Sequence, residues 1–262
     1  MPDPILIRAD QGPIARLVLN QPSSLNALST AMLTRLSAEL DDIAARPDLR
    51  VLLLSATGKA FCAGHDLKEI QGYRAASDGG TAGITALFDL CTQVMLKLAR
   101  LPQPTIAMVQ GIATAAGCQL AATCDLIVAA DTARFGVNGV NIGLFCSTPI
   151  VALSRKIAPA LALELAMTGD FLTAARAQQT GLVNRLAAPD QLESEAMALA
   201  QTLATKLPSA LHLGKRAFAD QFGQTLPQAY ATAGQAMVEN LQSPDTAEGI
   251  AAFLTKRRPD WA

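Results

Sequence analysis

Two stretches of small residues, Ala60 to Glu69 (AFCAGHDLKE) and Gln110 to Asp125 (QGIATAAGCQLAATCD), each follow an apolar run and could do chemistry with backbone amides. A reacting carbonyl comes within hydrogen-bond distance of main-chain N–H groups only where side chains are small, and the first turn of a helix leaves such groups unpaired and partly positive. Two of them converging on one point form an oxyanion hole, which stabilises an enolate-like oxygen. Ala113 to Gly117 (ATAAG) equally suits a helix packed closely on a sheet, where alanine and glycine permit near approach. Its pairing with a second small-residue turn, ending in Asp66-Leu67-Lys68 with a helix start and a cation together, favours a site.

Other routes to chemistry find little support. The chain has no GxSxG nucleophile elbow, no GxxxxGK[ST] phosphate loop and no GxGxxG after a strand; Gly136, Gly139 and Gly143 are spaced differently. The two histidines, His65 and His212, lie far apart and outside any HExxH pattern, so no metal site is expected. Five cysteines (Cys62, Cys91, Cys118, Cys124, Cys146), an odd number without a CxxC pair, read as reduced, buried thiols.

The elements that must position the two turns follow from apolar periodicity. Ile5 to Ala9 and Ile14 to Leu19 read as a hairpin around Asp10-Gln11-Gly12-Pro13. A helix starting near Ser29 or Thr30 carries Leu33, Leu36, Leu40 and Ile43 on one stripe and stops before Pro47. Val51 to Ala56, Thr105 to Val109, Leu126 to Ala130 and Leu182 to Leu186 read as strands. Gly72 to Gly83 reads as a mobile loop before a helix from Ile84 that Pro102 ends. A short helix covers about Ala116 to Thr123, Thr148-Pro149 starts another, and Thr173 caps one that Gly181 closes. Asp190 with Glu193 resembles a capping box for a helix to Leu207, after which the chain is helical to Arg258. Strand, turn and helix thus alternate, an α/β core over residues 1–200 followed by a helical region over 201–262 that covers the core or docks on another subunit.

Composition bounds the partners. The 262 residues are 50% hydrophobic and 16% charged with a net charge of −1, enough for a large core and giving no global attraction to nucleic acid or an anionic membrane, so the ligand is expected to be small. The N-terminal stretch MPDPILIRADQGP lacks a basic segment followed by an apolar one, and no apolar run is expected to approach the roughly 18 residues of a membrane span. The expected location is the cytoplasm.

The motifs FCAGHDLKE, QGIATAAGCQLAATCDLIVAA, FGVNGVNIGL, MTGDFLTAARAQQTGLVN and GIAAFLTKRRPDW together resemble the crotonase superfamily, that of enoyl-CoA hydratases and isomerases, over about Ile5 to Trp261. NIGLFCSTP and QAMVENL are most similar to the third subfamily of enoyl-CoA hydratase domain-containing proteins. The resemblance implies a spiral of ββα units, a C-terminal helical trimerisation region giving a homotrimer or a dimer of trimers, and an acyl-CoA thioester as ligand, with coenzyme A as part of the substrate and no separate cofactor. Matched motif to motif, the oxyanion hole falls on the backbone N–H groups of His65 and Ala116. Ser24, Leu25, Asn26 and Ala27 resemble the loop that contacts the nucleotide and pantetheine. Ala63 and Asp66, Leu67 and Lys68 resemble the adenine end, with Lys68 matched to a phosphate contact, and Phe253 and Lys256 resemble residues that a neighbouring subunit supplies.

The departures bear on activity. Where the resemblance implies two water-holding glutamates, this chain has Gln119 and Gly139, and Ser147 stands where dienoyl-CoA isomerases place a further acid. An amide orients water but cannot take its proton, and an acid or base typically contributes about 10²- to 10⁴-fold. Proton carriers left near the acyl end are His65, which could instead brace its turn, and Cys146, which could instead pack in the core. Asn138, Asn141 and Ser147 could only orient groups. Three readings remain: an enoyl-CoA hydratase or isomerase with a rearranged acid or base, a catalytically silent acyl-CoA binder, and a thioester hydrolase, for which no positioned nucleophile is legible.

Overall fold

The structure, a computed structural model, describes residues 3–261; Met1 and Pro2 of the N-terminal stretch read above, and Ala262, lie outside it. In chain order the elements are β1 (Leu6–Arg8), β2 (Ile14–Leu19), α1 (Thr30–Ala44), β3 (Val51–Ala56), β4 (Ala60–Cys62), α2 (Leu67–Tyr73) and α3 (Thr81–Arg100). There follow β5 (Thr105–Val109), β6 (Ile112–Thr114), α4 (Ala116–Thr123), β7 (Leu126–Ala130), β8 (Arg134–Gly136), α5 (Ser147–Leu153), α6 (Pro159–Thr168), β9 (Phe171–Thr173), α7 (Ala174–Gln179) and β10 (Arg185–Ala187). Helices α8 (Leu192–Ala204), α9 (Pro208–Asp220), α10 (Leu226–Leu241) and α11 (Pro244–Leu254) complete the chain.

The strands form two sheets. One has the order β1-β2-β3-β5-β7-β10 and is parallel apart from the β1–β2 hairpin; the other has the order β4-β6-β8-β9, parallel apart from β8–β9. Three times in succession the chain puts a strand into the first sheet and the next into the second, as β3–β4, β5–β6 and β7–β8, then returns through helices. This is the ββα spiral that the resemblance implies. Strands β3, β5 and β7 have apolar residues on both faces, as expected where helices cover a parallel sheet: Val51 to Leu54 are at most 1% exposed. Helix α8 lies across β2, β3, β5, β7 and β10, while α1 packs on α3.

Local chemistry sets the helix starts. Ser29 caps α1 by accepting from the Met32 amide at 3.2 Å. Helix α3 begins a turn earlier than Ile84, so the loop shrinks to residues 74–80: the Asp78 carboxylate accepts from the amides of Gly80 (2.9 Å) and Ala82 (2.8 Å) and satisfies the helix N-terminus. Three other expectations need correction. Asp190 does not cap α8, whose N-cap is Gln191 without a side-chain cap bond. The strand expected from Leu182 starts at Arg185, because the amides of Leu182 and Val183 are drawn to the Ala177 carbonyl in the turn that Gly181 makes after α7. Helix α3, 20 residues long with an 18-residue stretch of mean hydropathy 1.3, does reach the length and apolarity of a membrane span; here it turns Leu87, Cys91, Val94, Met95 and Leu98 into the core.

Candidate active site

The first small-residue segment becomes a turn clamped by a neighbouring loop. After β4 the chain passes Gly64 at φ +96°, a conformation that favours glycine, and enters α2 at Asp66. The Asp66 side chain caps α2 by accepting from the amides of Lys68 (2.9 Å) and Glu69 (3.3 Å). Residues 63–65 are zipped to the 25–28 loop: the Ala63 amide donates to the Leu25 carbonyl (3.1 Å), the Leu28 amide to the Gly64 carbonyl (2.7 Å), and His65 Nδ1 meets the Leu28 carbonyl at 3.2 Å. That loop is itself held by the wholly buried Asn26, whose amide accepts from Gln21 N and donates to the Thr57 and Ala60 carbonyls. Among the described residues the His65 backbone N–H has no partner.

The second segment forms a sharper turn. Ala115, between β6 and α4, sits at φ 50°, ψ −126°, a strained conformation for a residue with a side chain. It turns Ala116 into the first residue of α4, where the backbone N–H has no intrahelical acceptor. The two turns touch. A Cβ placed on Gly64 would stand 2.9 Å from the Ala115 Cβ and 3.2 Å from the Ala116 nitrogen, and one on Gly117 would stand 2.1 Å from the Cys62 carbonyl oxygen. Only glycine lets α4 seat against β4 this closely.

These turns open onto a cavity of about 940 Å³. Of the residues singled out from the sequence, Ser24, Leu25, Ala27 and Ala63 are in its walls, as are His65, Asp66, Leu67 and Lys68, and Ala116 with Gly139. Gln119 is not in the lining: it is buried one turn further along α4, its Oε1 without a partner. Phe253, 83% exposed, and Lys256 also lie outside this cavity, at the far end of α11. Sequence reasoning missed Phe88 and Thr114 and the apolar rim of Ile142, Leu144 and Phe145. The rim carried a faint signal, since three large apolar side chains flank Gly143 in a turn where burial is geometrically difficult.

The ionisable groups of the cavity are largely occupied. The Leu28 carbonyl is an acceptor, so the proton of neutral His65 belongs on Nδ1, leaving Nε2 as a lone pair that is buried without a partner. Burial lowers the His65 pKa, opposed by the Leu28 carbonyl and Glu69, and the ring lies 4.8 Å from that of Phe88. All five cysteines are free and buried. Burial also raises the Cys146 thiol, partly offset by Gly139, so this cavity residue is held as the thiol. A Cβ on Gly139 would meet the Leu144 carbonyl oxygen at 2.4 Å and Cys146 Sγ at 2.7 Å, so the segment has closed into the space a side chain would need.

Alternation of strands between two sheets, with paired small-residue turns opening onto one cavity, defines the crotonase class. The sequence agrees over residues 9–262, which match the enoyl-CoA hydratase/isomerase family, and the chain belongs to that family. It is 45% identical over 252 residues to the rat (Rattus norvegicus) enoyl-CoA hydratase domain-containing protein 3, mitochondrial, spanning 96% of this chain and 82% of that protein. Among solved structures it is similar to an enoyl-CoA hydratase of Mycobacterium smegmatis, with a TM-score of 0.94, 47% identity and 99% of both chains covered. The human enoyl coenzyme A hydratase domain-containing protein 3 superposes with a TM-score of 0.93 at 41% identity, covering 98% of this chain and 100% of that one.

Proposed function

We propose that this chain binds an acyl-CoA thioester and stabilises negative charge on its carbonyl oxygen between the backbone N–H groups of His65 and Ala116, an enoyl-CoA hydratase/isomerase-like function. The observation that carries it is the contact of two turns whose amides are unpaired beside one cavity. Addition to the β-carbon of an enoyl thioester, or loss of an α-proton, moves charge onto that oxygen, and each fixed donor there is worth about 3 to 4 kcal/mol. Lys68, exposed at the start of α2, would meet a phosphate of coenzyme A. Exposed apolar residues on the C-terminal helices, among them Phe218, Leu226, Tyr230, Phe253 and Leu254, support assembly into a trimer in which a neighbour's Phe253 and Lys256 reach the ligand. Light scattering giving a monomer at micromolar concentration would remove that part.

A second reading, the catalytically silent binder, is favoured by the state of the ionisable groups. His65 Nε2 is sealed from the cavity, Cys146 is held as the thiol, Asp66 caps a helix, and neither Gln119 nor Gly139 exchanges a proton. One pair of measurements separates the readings: calorimetric titration with butyryl-CoA and a hydration assay with crotonyl-CoA. Binding with turnover supports the hydratase-like reading, binding alone supports the silent binder, and no binding of any CoA thioester removes both.

A further inference from the structure

The polar side chains along residues 138–148 of the cavity wall differ in how firmly they are engaged: among the described residues Thr148 makes no side-chain hydrogen bond, and two others make only long ones. Asn141 Nδ2 donates to the Gly169 carbonyl at 3.4 Å and Ser147 Oγ to the Phe145 carbonyl at 3.5 Å. Thr114, the residue before the strained Ala115, is 8% exposed and donates its hydroxyl to Asn138 Oδ1 at 2.5 Å. With Oδ1 as the acceptor of that bond, the Asn138 Nδ2 is turned the other way. Among the described residues Nδ2 has no partner, and it is not sealed from solvent, since it is absent from the buried unpaired atoms while Asn138 is half-buried in the cavity wall.

Backbone register holds this donor beside the oxyanion-binding turn. Thr114 in β6 is paired with Gly136 in β8, two residues before Asn138, and the Ala115 amide donates to the Gly136 carbonyl at 3.0 Å. Asn138 is thus fixed through Thr114 and β8 to the turn that presents the Ala116 N–H.

Building on the acyl-CoA reading, we infer that Asn138, oriented by Thr114, is a specificity-determining residue whose Nδ2 donates to an oxygen on the acyl chain close to the thioester, so that the preferred ligands are 3-oxygenated acyl-CoA thioesters. An alkyl chain leaves this donor unmatched, whereas a 3-hydroxyl or 3-oxo group satisfies it. One such hydrogen bond corresponds to about a five- to tenfold difference in affinity.

The test measures dissociation constants for butyryl-CoA, 3-hydroxybutyryl-CoA and acetoacetyl-CoA on the full chain. The wild type is expected to bind both oxygenated thioesters about five- to tenfold more tightly than butyryl-CoA. Asn138→Ala brings the ratio to about one, and Thr114→Val, which frees the amide to turn over, reduces it. Asn138→Asp keeps the Thr114 bond but presents an acceptor, so it retains 3-hydroxybutyryl-CoA, which can donate, and rejects acetoacetyl-CoA, which cannot; a bracing role for Asn138 does not produce that split. Binding of butyryl-CoA with no preference for oxygen in the wild type, or a preference that survives Asn138→Ala, overturns the inference while leaving the acyl-CoA reading intact. Failure to bind all three thioesters overturns both.

Discussion

Gly117 on α4 packs so closely on the backbone of Cys62 at the end of β4 that a Cβ at residue 117 would lie 2.1 Å from the Cys62 carbonyl oxygen. The contact holds the helix that begins at Ala116 against the strand that leads to His65. Backbone cannot yield as a flexible side chain can. Gly117→Ala is therefore expected to cost about 3 kcal/mol, the upper end for overpacking, seen as a lower urea midpoint at unchanged m. A change within 0.5 kcal/mol, the usual scale of surface substitutions, would mean that the two elements are not in this contact.

The neighbouring Ala115 makes the opposite prediction. At φ 50°, ψ −126° it holds strain of about 1–3 kcal/mol that glycine would not. Against this, glycine adds entropy to the unfolded chain at about 0.5–1 kcal/mol. The net expectation is a gain near 1 kcal/mol for Ala115→Gly, whereas Ala121→Gly within the same helix loses about 1 kcal/mol. Calorimetric melting of the two variants side by side checks the contrast, and equal destabilisation would show that residue 115 is unstrained.

Placing glutamates at residues 119 and 139 is not a symmetrical operation. Gln119→Glu keeps the side-chain shape in a buried position, while any side chain at residue 139 runs into the Leu144 carbonyl and the Cys146 sulfur. Gly139→Ala alone is expected to lower stability by about 1–3 kcal/mol, and Gly139→Glu by at least as much. Thermal melts of the three single variants test this, with Gly139→Ala melting at the wild-type temperature as the contrary result. Hydration activity in a Gln119→Glu, Gly139→Glu protein then requires that residues 139–146 be rebuilt as well.

His65 gives a pH prediction with a definite sign. Burial holds its folded pKa below the 6.5 of a free imidazole, so the unfolded chain binds its proton first as pH falls. The stability that the neutral ring contributes is fully present above about pH 6.5 and is lost between that pH and the lowered folded pKa. In His65→Asn the Asn amide can still donate to the Leu28 carbonyl, but nothing at residue 65 titrates. Subtracting its denaturant midpoints from those of the wild type across pH 7.5 to 5 isolates the effect. A difference that stays constant would mean the ring is as solvated folded as unfolded.

Much of the frame was legible because long apolar segments announce themselves. The runs Val51 to Ala56, Thr105 to Val109 and Leu126 to Ala130 are mostly apolar without alternation because both faces of these strands are buried, and each is a strand. The second sheet was not read from the residues, for its strands β4, β6, β8 and β9 have three residues each, too short for a period of two to register. The Asp190 capping pattern failed by one residue: the N-cap is Gln191, which makes no side-chain cap bond, and the helix it opens packs across five strands of the first sheet.

The residues of the two turns, their small size and the family pattern they carry belong to the sequence alone, because a short segment's preference for tight backbone is a local property. Their contact is a tertiary decision. Gly64 and Ala116 are 52 positions apart and meet only because β4 and β6 pair in parallel, with Ala60 beside Ile112 and Cys62 beside Ala113. The same holds for the Thr114–Asn138 bond and for Leu144 closing over Gly139, neither of which any spacing rule encodes. Hydrogen bonds and steric exclusion act over a few ångströms, so which groups feel them is settled when the sheets bring distant segments together.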